Sequence, residues 1–306
     1  MVTLGTRLVD HRRQRGPSGA LLGVCAIGVL LLVVAVVGLV VDPQRITGAP
    51  AWLKPAKFAI SISLYCATVA WLLSLIGGHR RAVQVIAFLT TLGFLGEFAL
   101  IDLQVLRGTT SHFNTATPFD SAVYSAMGGL IVLVFVAAII AAVLLGRQRS
   151  LTGPVRAAVV GGLVVAIIGM AEAVLMFVNT DFGDGGAHTV GAPDGGPGIP
   201  VTGWSTQHGD LRVAHFVGIH ALQVLPIVLW LLARFRPALT DPQRTRLMVV
   251  ASAWYAGMVV LLAWQAERGQ SVLRPDVLTM TAVLGWSAVA VIVALVAVRS
   301  IRRVTT

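Results

Sequence analysis

Residues 19–41 read GALLGVCAIGVLLLVVAVVGLVV, a stretch without a charged side chain. Crossing a hydrocarbon core takes about 20 apolar residues in helix at about 1.5 Å each, so this stretch predicts a membrane-spanning helix. Arg7, Arg12, Arg13 and Arg15 precede it and Ala49-Pro50-Ala51 follows it, an arrangement that imitates a secretory leader with its cleavage site. An apolar segment of more than about 20 residues exceeds the core of a cleaved leader, about 7 to 15 residues. The segment is therefore read as a retained first helix.

Working outward, seven further runs meet the same length criterion: 56–76, 82–106, 122–145, 157–178, 213–232, 247–266 and 277–298. Pro, Gly or Arg marks most of their boundaries. The whole chain agrees with this reading. It is 56% hydrophobic and 12% charged with a mean hydropathy of +0.84, where soluble domains carry about a quarter of charged residues. The fold class expected is an all-α integral membrane protein of eight transmembrane helices.

A net charge of +10 on a soluble face would suggest nucleic acid, but here Lys and Arg fall in short clusters between the apolar runs. Such clusters report orientation. Sixteen of the twenty-three lie on one side: the N-terminus, Arg80 and Arg81, Arg147 to Arg156, Arg234 to Arg246, and Arg299 to Arg303. The other side holds Arg45, Lys54, Lys57, Arg107, Arg212, Arg268 and Arg274. Both termini are expected in the cytoplasm of a multi-pass cell-membrane protein. The bilayer is its partner, no nucleic acid is implied, and a second membrane protein or a second copy of the chain stands as an alternative partner. Cys25 and Cys66 both sit inside apolar runs, which leaves neither a CxxC pair nor a loop disulfide framework.

Four helices restore chain direction, so a duplicated four-helix unit would show parallel internal similarity. Gln104-Val105-Leu106-Arg107-Gly108 and Gln265-Ala266-Glu267-Arg268-Gly269 share Gln-x-x-Arg-Gly at the end of the third and seventh runs. Ala56-Lys57-Phe58 opens the second run where Ala214-His215-Phe216 opens the sixth, and Gly96 matches Gly257. The organisation expected is a basic N-terminus (1–18), a first four-helix half (19–146), a parallel-related second half (147–299) and a tail (300–306). The second half carries an extracytoplasmic Gly-rich loop, 179–210, with Asp181, Asp184, His188, Asp194 and His208. A loop of this length without strand or helix pattern is either functional or flexible. Pro200 and Trp204 would let it fold back as a lid.

Ionisable groups at membrane depth cost at least about 2.5 kcal/mol each, and they cluster here. Glu97 lies roughly 14 Å below the outward end of the third helix, Glu172 roughly 9 Å below that of the fifth, and His220 roughly 10 Å into the sixth. Nearer the surface are Asp102, Lys57, His215 and the loop residue His112. The opposite leaflet holds almost none, so a polar pocket open to the extracytoplasmic side is expected. By helical phase Glu97 and Gln104 share a face, with Asp102 about 140° away. His215 and His220 are also about 140° apart, with Gln223 between them.

Three chemistries fit this set. His215, His220, Glu172 and Glu97 are candidate ligands for a transition metal, or for haem through one axial histidine, in a redox, sensing or maturation role. Alternatively, Glu97, Glu172 and His220 form the proton or cation site of a small-solute carrier or channel component. In the third reading the ionisable groups pair only to fix helix packing, in a structural subunit. His112, Asp102, Lys57 and Gln223 are accessory pocket residues. His112 sits in Ser111-His112-Phe113-Asn114 ahead of Thr115, Thr117 and Pro118, which also reads as a turn and helix cap. Gln104, Arg107, Gln265 and Arg268 read as interface anchors, with a headgroup anion as the alternative contact. No phosphate loop, HExxH or GxSxG occurs, so no catalytic residue is assigned.

Overall fold

The computed structural model describes residues 15–299, so the basic clusters expected within 1–14 and 300–306 lie outside the described residues. Among the described residues the regular structure is helical apart from two short pairs of strands. Its helices are α1 (Arg15–Val41), α2 (Leu53–Ser74), α3 (Arg80–Leu106), α4 (Pro118–Arg147), α5 (Gly153–Val178), α6 (Arg212–Phe235), α7 (Asp241–Glu267) and α8 (Val277–Arg299). Among the described residues these eight are long and apolar enough to cross a membrane.

Several begin earlier than hydropathy alone suggests, because their first turns are polar and capped. Thr117 accepts a hydrogen bond from the Asp120 amide at 3.1 Å, which starts α4 four residues ahead of the apolar run. Thr240 and Gln243 form a reciprocal capping box that starts α7 six residues early.

The chain divides into two compact units, one ending at Ser150 and the other beginning at Leu151. In the first, α1 packs on α2 and α3, and α3 on α4; in the second, α5 packs on α6 and α7, and α7 on α8. Lipid-soluble helices gain little from burying apolar surface against one another, so close backbone approach through small residues is what joins them. The α5–α6 seam shows this. A Cβ on Gly169 would stand 2.6 Å from the Gly218 Cα, and one on Gly162 would stand 3.0 Å from the Ala221 carbonyl oxygen. In the first unit Gly28 meets Ser63 on α2, and Gly93 and Gly96 take Leu130 and Val134 of α4. Large apolar side chains such as Phe88, Val132 and Ile292 point outward, which suits a hydrocarbon surround.

The loop at 179–210 is more ordered than its glycines suggest. Strands β3 (Thr189–Val190) and β4 (Gly209–Asp210) pair antiparallel, and Gly198 bridges to Ser205. The fastening contacts are distant in sequence. Ser271 donates to the Ser205 carbonyl at 2.8 Å, and Gly209 presses on the end of α7 so closely that a Cβ would fall 1.9 Å from the Ala266 oxygen.

Candidate functional site

In the first unit the polar end is the one carrying the β1–β2 hairpin (Arg45–Ile46, Ala49–Pro50) and the loop after α3. Glu97 lies nine residues before the end of α3, is 0% exposed, and neither of its carboxylate oxygens has a hydrogen-bond partner. Lys54, in the first turn of α2, is the cation whose field reaches Glu97. Its ammonium lies 3.0 Å from His112 Nδ1. An ammonium only donates, so that nitrogen accepts and the neutral ring carries its proton on Nε2. Ser111 Oγ stands 3.1 Å from the same nitrogen, and the His112 ring tilts against Phe58 with centroids 5.8 Å apart. Asp102 and Lys57 are half-buried.

Two residues read as anchors, Gln104 and Arg107, converge on the buried Asp120. Gln104 is fully buried and donates to Asp120 at 2.9 Å and to the Thr110 carbonyl at 3.3 Å. Arg107 donates to Gln104 and Asp120 while stacking over Phe119, 4.3 Å from its centroid. Asn114 ties Thr109 and Thr110 together. In the second unit Gln265 donates to the Ser271 carbonyl at 2.9 Å. Arg268 stacks over Trp264 and forms a forked pair with Asp276, which caps α8 by accepting from the Thr279 amide. Hydrogen bonding from Arg268 and from Thr279 holds the Asp276 carboxyl well below the usual carboxylate range.

The second unit's polar end lies beneath the ordered loop. Glu172 is 8% exposed, and again neither oxygen has a hydrogen-bond partner. Where Glu97 feels a lysine, Glu172 feels the negative charges of Glu267 and Asp210. Asp210 is already committed, since Arg212 grips both its oxygens at 2.9 and 2.6 Å and the Ser205 amide donates to it at 2.7 Å. His215 Nδ1 lies 2.7 Å from the Gly169 carbonyl. A carbonyl only accepts, so Nδ1 carries the proton and the lone pair of the neutral ring is on Nε2. His220 faces Gln223 on its own helix at 3.4 Å, so His215 and His220 take separate partners. Among the described residues no group of three or more His, Cys, Asp and Glu side chains is disposed to hold a metal ion.

Above this site, Asp194 organises the loop. It accepts from the His188 ring at 2.5 Å and from the His188 and Thr189 amides. Burial works against its charge, but the bonds from His188 and Thr189 outweigh burial and hold its carboxyl well below the usual range. A depressed carboxyl stabilises the fold fully above its unfolded value, about 3.9, and that stability is lost as pH falls through the lower folded value. Hydrogen exchange should therefore find the amides of 187–190 steadily protected from neutral pH down to about 4, weakening only in stronger acid. In Asp194→Asn the protection should be lower throughout and the acid step absent.

Lys54, Asp210, Asp194 and Glu267 do not stand out in the sequence as site residues: Asp210 and Asp194 bond to the nearby Arg212 and His188, whereas the partner of Lys54 is set by the fold. Lys54 and His112 are 58 residues apart. Comparisons with protein-family models, curated proteins and solved structures find no match to this chain.

Proposed function

We propose that this chain is a multi-pass cell-membrane protein, with cytoplasmic termini, whose Glu97 and Glu172 take up a proton or a small cation from the extracytoplasmic side, as in a small-solute or proton-coupled carrier component. The observation that carries this reading is the pair of carboxylates, each more than nine-tenths buried with both oxygens unbonded. A carboxylate used only to fasten helices would be expected to hold a partner, as Asp120 and Asp210 do. The outward assignment rests on the sixteen basic residues of the opposite side.

The proposal includes two parallel-related four-helix halves. Supporting it, both units pair their helices in the same order. Both close their third helix with a buried Gln bonded to a carbonyl six residues on, and both follow it with a Gly at φ 72°. A second reading, haem or a transition metal on His215, is favoured by the Nδ1 bond to Gly169, the arrangement that orients ligating imidazoles. A visible spectrum and metal content of the purified protein test it, and absence of both a haem band and stoichiometric metal removes it.

For the main reading, monovalent salts are added in turn to the full chain in weakly buffered detergent while proton release is followed. Exchange of a cation for a proton on these carboxylates should acidify the wild-type solution, less so with Glu97→Gln or Glu172→Gln, and not at all with both. Unchanged release in the double variant would overturn it.

A further inference from the structure

The two buried carboxylates have opposite surroundings. Glu97 has a built-in cation within reach in Lys54, whereas the charges that bear on Glu172 are those of Glu267 and Asp210, and Asp210 is satisfied by Arg212. The second site therefore gathers negative charge that a proton on Glu172 or an incoming cation would offset. Its shape selects among cations. Gly169 and Glu172 are three residues apart on α5, about 4.5 Å along the axis and about 60° around it. The imidazole held by the Gly169 carbonyl thus stands on the same turn as the carboxylate. With Nδ1 donating, Nε2 offers a directed lone pair, and Glu172 offers two unbonded oxygens in a position 8% exposed. Two carboxylate oxygens and an imidazole lone pair suit a cation that itself carries N–H groups. A hard metal ion would ask for three or more ligating side chains, a grouping not found among the described residues.

We propose that Glu172 and His215, with Glu267 behind them, form a binding site for an ammonium group, either free ammonium ion or the head of a primary amine. The group would donate to Glu172 and to His215 Nε2, and Glu267 would add attraction at the rim. This rests on the cation-binding reading given above and narrows it to one ligand class at one of the two carboxylates.

The test uses the full chain in detergent, titrated at matched ionic strength with ammonium, methylammonium, tetramethylammonium, sodium or potassium chloride. The thermal unfolding midpoint and the heat of binding are read together. Ammonium, methylammonium or both should raise the midpoint saturably; ammonium alone identifies the free ion, and methylammonium binding as well or better identifies an amine head. Tetramethylammonium, of equal charge but without N–H, should not. Glu172→Gln should abolish the shift. His215→Asn keeps a donor for the Gly169 carbonyl but lacks Nε2, and should weaken binding about tenfold or more. Asp184→Asn, exposed in the loop, should bind as wild type. Equal shifts from tetramethylammonium, or an ammonium shift that survives Glu172→Gln, would overturn the proposal. If sodium or potassium alone stabilises through Glu172, the ammonium assignment falls while the broader cation reading stands. If no cation acts and no proton is released, both fall.

Discussion

Replacing Gly169 with valine should destabilise the second four-helix unit by about 3 kcal/mol or more, seen as a large drop in the detergent unfolding midpoint. The magnitude follows from what the new side chain would meet. Its Cβ would stand 2.6 Å from the Gly218 Cα and 2.8 Å from the Ile219 nitrogen, and a Cβ on Gly218 would in turn stand 2.5 Å from the Gly169 Cα. These are backbone atoms of the facing helix, so no rotamer change relieves the clash and α5 and α6 must separate. Separation would also break the His215–Gly169 bond, so ammonium binding should fall with stability. Gly285 on α8, with nothing within 4 Å, is the control: Gly285→Ala should leave the midpoint unchanged or raise it, since alanine is the better helix former by about 1 kcal/mol.

Substituting Glu172 with glutamine should act in the opposite direction. A charge at membrane depth costs at least about 2.5 kcal/mol, and at Glu172 the like charges of Glu267 and Asp210 add to that cost. Without cations, at alkaline pH, Glu172→Gln should be more stable than wild type by about 2 kcal/mol. Glu97→Gln should gain less, because removing Glu97 also deprives Lys54 of a neighbouring opposite charge. A carboxylate that served helix packing would behave otherwise, and its removal would lower the midpoint. The comparison is made by thermal unfolding of the three proteins in identical detergent and salt.

The helix plan was legible in the sequence because a bilayer imposes a length. A run such as 19–41 has few alternatives once it exceeds the hydrocarbon thickness. The polar first turns of α4 and α7 were not, since the Thr117 and Thr240 caps are hydrogen-bonding signals that hydropathy does not register. Glu97 and Glu172 stood out by the cost of charge in the membrane, a property of the residue and its depth alone. What surrounds each one did not: Lys54 appeared only as one basic residue among seven on its side, and the acidity around Glu172 arises from the ends of α7 and the long loop. That loop invited a flexible reading because its order comes from Ser271 and Ala266, which local sequence does not bring near. The Gln-x-x-Arg-Gly repeat was visible as a pattern, whereas the pairing of its arginines needed the positions of Asp120 and Asp276.

On the proposed function, two buried, unbonded carboxylates exchange protons or cations from the outward side. Infrared difference spectra of the protein reconstituted in liposomes, recorded on changing pH or cation only outside, test it most directly. Two carboxyl signals should respond, one disappearing in Glu97→Gln and the other in Glu172→Gln, with the Glu172 signal alone responding to ammonium. Identical spectra from the wild type and the double variant would contradict it.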